Sequence, residues 1–348
     1  MPIDNHEVIL YTLHMDKVLK KITAQQKKLE SFRPLSPELV KNLEQWFKIE
    51  LTYTSNAIEG NTLSRQETAL VVEKGITIGG KSMNEHLEAI NHAQALEYIK
   101  KFVQKKRRNI SERDILDIHH IILSKIDDTN AGRYRSVSVR IAGSTVVMPN
   151  PLKVPELMSE FTKWLHGKID DHPVKIAADA HFKFVSIHPF TDGNGRTARL
   201  LMNLLLLQEG YPPALIKKED RLKYINAIEK GQLSQGMNDY YRIIYESVEN
   251  SLNIYLKAVE QKEPAQKGKS HSQKQKLLKI GELAGASEEN VPTIRYWTQE
   301  GLLKVAEYSP GGYQLYAETM IEQAKKIRQL QKEKRLTIRE IKEGFSSQ

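Results

Sequence analysis

Residues 188–199 read His-Pro-Phe-Thr-Asp-Gly-Asn-Gly-Arg-Thr-Ala-Arg, and an apolar run, Leu200-Leu201-Met202-Asn203-Leu204-Leu205-Leu206-Leu207, follows at once. A glycine-flanked turn feeding an apolar run describes the N-terminus of a buried helix. Backbone N–H groups without intrahelical partners converge at such a place, and the helix dipole adds partial positive charge, so it binds phosphate. His188 is the base candidate, because an imidazole titrates near neutrality. Asp192 is the metal-ligand candidate, since Mg²⁺ favours one or two carboxylates completed by phosphate oxygens. Successive amides around Gly193, Asn194 and Gly195 can form an anion nest. Arg196 and Arg199 stand one helical turn apart and can face one anion with bidentate geometry. Taken singly, each residue type has a commoner structural reading; in this order they fit one task.

The chain of 348 residues suits two or three domains rather than one core. Its 40% hydrophobic and 27% charged residues are ordinary for a soluble protein. No stretch approaches the roughly twenty apolar residues of a membrane span. Residues 1–7, Met-Pro-Ile-Asp-Asn-His-Glu, do not resemble a secretory signal. There is no cysteine, which excludes disulfides and thiolate metal sites and fits a cytoplasmic protein. The net charge is +9, and residues 262–348 hold 16 Lys/Arg against 11 Asp/Glu. A modestly basic last quarter suggests nucleic acid or, equally, a solvated surface.

Most of residues 1–257 reads helical. Ser36-Pro37-Glu38 places an N-cap before a first-turn proline, and Leu39, Leu43, Trp46, Phe47, Ile49 and Leu51 then recur at roughly helical spacing. The periodicity predicts helices over 36–57, 64–74, 84–105, 111–124, 154–167, 172–187, 194–209, 219–230 and 237–257. The exception is 136–148, where Val137, Val139 and Ile141 alternate with polar residues ahead of Ala142-Gly143-Ser144. This predicts an isolated β-hairpin. Residues 258–275 contain almost nothing to bury and read as a linker. The organisation expected is therefore a helical extension at 1–35, a catalytic domain at 36–257, the linker at 258–275, and a small unit at 276–348.

The run at 188–199 is identified with the motif His-Pro-Phe-x-Asp/Glu-Gly-Asn-Gly-Arg-x-x-Arg of the Fic family, which it matches at every defined position. The resemblance extends over roughly residues 36–257. It implies a mainly α fold, a Fic-type helical bundle with a β-hairpin flap. It also implies transfer of AMP from ATP onto a Ser, Thr or Tyr hydroxyl of a target protein. On this resemblance His188 is the general base, Phe190 seats the loop in the core, and Asp192 holds Mg²⁺. The nucleotide-binding stretch comprises Asp192, Gly193, Asn194, Gly195, Arg196, Thr197, Ala198 and Arg199. Glycine at 195 favours nucleotidyl over phosphoryl transfer. The hairpin resembles the family's flap, with Val139, Arg140, Ile141 and Ala142 expected near nucleotide or target, whose extended segment could pair with the strand edge. Tyr224 and Gln232 are candidates for the nucleoside side, although Ile225 stands where relatives often carry a second aromatic.

Ser55-Asn56-Ala57-Ile58-Glu59-Gly60 closes the helix predicted at 36–57, and Gly60 reads as its C-terminal stop. The segment also resembles the family's inhibitory motif, Ser-x-x-x-Glu-Gly/Asn. That likeness implies that Ser55, Glu59 and Gly60 form a brake in which Glu59 reaches Arg199. In some relatives the equivalent glutamate helps remove the modification, so reversal of AMP transfer is an alternative reading.

Residues 279–300 read as two short helices around a turn, with Ile280, Leu283, Ala284, Ile294 and Trp297 as shared core. With Ser309-Pro310-Gly311-Gly312-Tyr313 as a wing, the unit resembles the winged helix-turn-helix of MerR-type regulators. That resemblance makes DNA a candidate partner, with Arg295 and Tyr296 on the reading helix; protein contact is the other use. The second functional reading is thus a nucleotide-sensing transcription regulator. Homodimerisation is open, and no membrane partner is expected.

Overall fold

Short polar side chains set the helix starts, and this places the site. The computed structural model describes residues 5–260, 277–308, 313–333, 336–338 and 340–342. The chain divides into two compact units, residues 1–264 and 265–348. The first contains ten α-helices among its described residues: α1 (Asn5–Ser31), α2 (Pro37–Ile58), α3 (Arg65–Lys74), α4 (Met83–Lys100), α5 (Glu112–Leu123), α6 (Val154–His166), α7 (Pro173–Ile187), α8 (Asn194–Gln208), α9 (Arg221–Gln232) and α10 (Asn238–Glu260). Ser36 caps α2 by accepting from the Leu39 amide, with Pro37 in the first turn. Reciprocal capping boxes start α3 (Ser64 and Glu67), α4 (Ser82 and Glu85) and α5 (Ser111 and Asp114).

Helix α8 is the central element. Leu201, Met202 and Leu206 on it have no exposed surface, and α7, α5 and α4 pack around it. A helix apolar on every side must be enclosed on every side. Its N-terminus is therefore fixed by the core itself. Helix α1 lies against α10.

The hairpin expected at 136–148 is not formed as paired strands: the described residues of this unit contain no β-ladder. A turn closes at Ala142-Gly143, where the Ser144 amide donates to the Ile141 carbonyl. Anchors from outside the segment take the place of cross-strand bonds. Arg135 donates to the Val137 and Pro149 carbonyls, and Glu229 of α9 accepts from the Thr145 amide and the Ser144 hydroxyl. The residues that suggested alternation are not core residues; Val137 is 56% exposed, and Val139 and Ile141 are only half-buried.

The second unit holds β1 (Leu277–Lys279), α11 (Ile280–Ala286), α12 (Val291–Gln299), β2 (Glu307–Tyr308), β3 (Gln314–Ala317) and α13 (Thr319–Glu333). The strands form an antiparallel sheet in the order β1-β3-β2. Leu283, Ala284, Ile294 and Trp297 share its core, with Ile280 packed at the margin. Asn290 caps α12 through the Thr293 amide, so Pro292 falls in the first turn where it needs no partner. The wing residues Ser309 to Gly312 lie outside the described residues, as does the expected linker apart from 258–260, which finish α10.

Candidate active site

Helix α7 ends at His188, whose backbone is left-handed (φ 50°, ψ 60°). A non-glycine residue there is strained and needs its surroundings to hold it. The His188 amide donates to the Phe184 carbonyl, and its carbonyl accepts from Arg135 Nε at 2.8 Å. The Arg135 amide also donates to the Pro189 carbonyl. One buried guanidinium thus joins the base candidate to both ends of the flap. Burial pushes the His188 imidazole below its ordinary value, with Arg135 adding to the shift; the Val185 carbonyl and the carboxylates of Glu59 and Asp192 oppose it.

Phe190 is fully buried and stacks on His119 with ring centroids 3.5 Å apart. The Gly132 amide donates to His119 Nδ1, which places the imidazole proton on Nε2, and Nε2 donates to the Asp192 carbonyl at 3.0 Å. Burial holds His119 neutral, with its pKa pushed down to about 4. Asn194 closes the loop by exchanging two 2.9 Å bonds with the Phe190 backbone. Its side chain therefore shapes the loop. Gly193 then starts α8 with φ 75° and offers no side-chain cap, which leaves the first helical amides for a ligand.

The two arginines have different surroundings. Arg196 is 2% exposed and bridges Glu88 and Asp192, each at 3.0 Å. It orients Asp192, whose side chain is 66% exposed. Arg199 donates through Nε to the Ser55 hydroxyl at 2.9 Å and through Nη2 to the Ser55 carbonyl at 2.9 Å and Glu59 at 2.7 Å. Burial would lower the Arg199 pKa, but the Glu59 carboxylate and Tyr224 outweigh it, and the net shift is upward. The structure therefore brings Ser55, Glu59 and Arg199 together, while Gly60 (φ 105°) turns the chain out of α2.

A cavity of about 300 Å³ opens beside these groups. Glu59, His188, Asp192–Gly195 and Arg199 line one side; Tyr224, Ile225, Ile228, Glu229 and Gln232 line the other. Arg140 and Ile141 of the flap reach it, whereas Val139 and Ala142 do not line it. Thr197 and Ala198 are fully buried behind the wall. Tyr224 is 2% exposed, and its hydroxyl lies 2.6 Å from His181 Nε2. Tyr240 donates to the Ala178 carbonyl, so His181 Nδ1–H donates to Tyr240 and its Nε2 accepts from Tyr224. Gln232 approaches the Val185 carbonyl and Ser186 at 3.4 Å.

For a divalent cation, Asp192 supplies one hard carboxylate, and no group of three His, Cys, Asp or Glu side chains is close enough to hold a metal among the described residues. That donor set fits Mg²⁺ shared with a polyphosphate rather than a cage made by protein alone. Sequence reasoning did not find Arg135, His119, Glu88, His181 or Glu229. Each acts on a partner distant in the chain, and none carries a local spacing signal. In the second unit, Arg295 and Tyr296 are exposed on α12 while Trp297 is buried.

This arrangement defines a helical domain built on a glycine-started central helix whose N-terminus opens on the cavity. The Fic/DOC family model matches residues 109–206, and the MerR HTH family regulatory protein model matches residues 278–348. A protein adenylyltransferase Fic from Aedes aegypti is 39% identical over 219 residues, covering 62% of this chain and 43% of that protein. One from Nematostella vectensis is 36% identical, covering 69% and 56% respectively. The chain spans about half the length of the curated relatives it matches. Among solved structures, Fic-1 (residues 134–508) from C. elegans superposes with TM-score 0.67 at 31% identity, covering 75% of this chain and 80% of that one. A Fic domain containing signaling protein from Bacteroides thetaiotaomicron gives TM-score 0.64 at 32% identity, covering 72% of this chain and all of that one (100%). The chain belongs to the Fic family.

Proposed function

We propose that this chain is a protein adenylyltransferase that moves AMP from ATP to a Ser, Thr or Tyr hydroxyl of a target protein in the cytoplasm. The observation that carries this reading is the convergence of His188, Asp192, Arg199 and the uncapped start of α8 on one cavity. Neutral His188 takes the proton of the target hydroxyl, whose oxygen bonds to the α-phosphorus as the bond to the bridging oxygen breaks and pyrophosphate leaves. Charge grows on the leaving phosphates, and the α8 amides and Arg199 stand ready to stabilise it. Arg196 keeps Asp192 facing the cavity. Mg²⁺ held by Asp192 and the phosphates would neutralise part of the same charge. Arg140 and Ile141 fit a role in guiding target or nucleotide, and Tyr224, Ile225 and Gln232 fit the nucleoside side.

In this reading Glu59 is a brake. Its carboxylate occupies Arg199 and places negative charge where a triphosphate would lie. Glu59→Gly should raise AMP transfer by about tenfold or more, the scale of one freed charge-assisted bond. Mass spectrometry of the Glu59→Gly protein after incubation with ATP and Mg²⁺, with His188→Ala as control, tests both roles. AMP on the protein or on added targets, lost with His188→Ala, is expected. No incorporation with any nucleotide would overturn the transferase reading. Equal rates for Glu59→Gly and wild type would overturn the brake.

The MerR match favours DNA binding by residues 276–348 as a second activity. Arg295 and Tyr296 are exposed on α12, as a reading helix requires. A gel shift with random DNA at two salt concentrations should show steep weakening with salt, reduced by Arg295→Ala. Binding that ignores both points to protein contact instead.

A further inference from the structure

The far end of α8 carries a second feature, unrelated to the transfer site. A cavity of about 650 Å³ lies between the segment after α4 and the end of α6, with Gln208 and Glu209 on its wall. Five cations line it: Lys105, Lys106, Arg107, Arg108 and Lys168. Two of them have structural partners. Lys105 pairs with Asp114 at 2.6 Å, and Arg107 donates to the Leu165 and Gly167 carbonyls, capping the end of α6. The other three, Lys106, Arg108 and Lys168, are exposed, and no side-chain hydrogen bond or ion pair neutralises them among the described residues. Glu209 is the one carboxylate on the wall.

We propose that this cavity binds a compact oligophosphate anion. The fold crowds like charges here: burial lowers the Arg107 pKa, the Glu209 carboxylate opposes that shift, and the Arg108 guanidinium adds to it. An anion bridging the two sides relieves that repulsion, and guanidinium and ammonium groups bind phosphate oxygens well. The concave shape favours a small ligand over a nucleic-acid backbone, which needs a basic stripe that tracks the strand. The site is separate from the reacting groups, because the 15 residues of α8 span roughly 20 Å.

Calorimetric titration of the full chain with inorganic tripolyphosphate tests this. The Arg199→Ala background removes a clamp of the reacting site. Binding should persist in that background and weaken about tenfold or more when Lys106→Glu and Arg108→Glu are added, the scale of one or two lost charge-assisted bonds. Both positions are exposed, so circular dichroism should be unchanged. Binding that vanishes with Arg199→Ala alone, or that survives the charge reversal, overturns the proposal. So does binding of a single-stranded oligonucleotide without binding of tripolyphosphate.

Discussion

Gly195 leaves open the space that the Glu59 carboxylate fills: a Cβ at 195 would stand 2.2 Å from Glu59 Oε1 and 3.0 Å from Arg199 Nη1. The missing side chain is thus a condition for the Glu59–Arg199 pair as well as for a close approach of phosphate. In the proposed function, one glycine serves both the braked arrangement and the productive one.

Gly195→Ala should therefore cost about 1–3 kcal/mol in the wild-type background, the scale of an overpacked contact. In Glu59→Gly the main obstacle is gone, and the better helix propensity of alanine offsets what remains. Urea denaturation of the four proteins should give a coupling of about 1 kcal/mol or more. Additive costs would mean that Glu59 is not what the glycine accommodates.

The pH profile of transfer follows from His188. Burial lowers its pKa from the ordinary value of 6.5, and a protonated imidazole cannot accept the hydroxyl proton. Activity should persist as pH falls through 6.5 and be lost only below it. The Glu59 carboxylate raises the His188 pKa, so the acid limb of kcat/KM in Glu59→Gly should lie lower than in wild type. A limb above 6.5 would contradict the placement of the base.

Three further histidines govern acid stability. Burial pushes His92 and His181 down to about 3 and His119 to about 4, against 6.5 when unfolded. Between these values the unfolded chain binds protons that the folded chain does not. Their contribution is complete above pH 6.5 and lost as pH falls toward 3–4. Each adds about 1.4 kcal/mol per pH unit to that loss at full effect. Chemical denaturation from pH 7 to 4 should show this fall, made shallower by His181→Gln, and a flat profile would count against it.

Arg135→Lys should loosen the flap. Lysine keeps the charge but cannot donate to His188, Val137 and Pro149 together. We expect a loss of about 2–4 kcal/mol, as for a broken buried charged network. Hydrogen exchange should rise across 137–149, where Arg135 is the anchor, more than in α9. Unchanged protection there would show that Glu229 alone suffices.

The sequence by itself determined where most helices lie, because the signals are local, although the helix expected over 84–105 ends at Lys100. A serine followed by glutamate or aspartate three residues on satisfies backbone donors within one turn, and α3, α4 and α5 begin where those pairs stand. The run at 188–199 likewise carried its chemistry in adjacent residues, and the family likeness supplied Glu59 as a partner for Arg199. The flap was misread because alternating valines signal a strand only where a partner strand supplies hydrogen bonds. Here Arg135 and Glu229 supply anchors instead. The tertiary structure alone decided that Arg196 orients Asp192 through Glu88, 108 residues away, and that His119 is a neutral donor to the loop. Pairings of that kind depend on how buried helices stack, and no local periodicity records which distant side chains will meet.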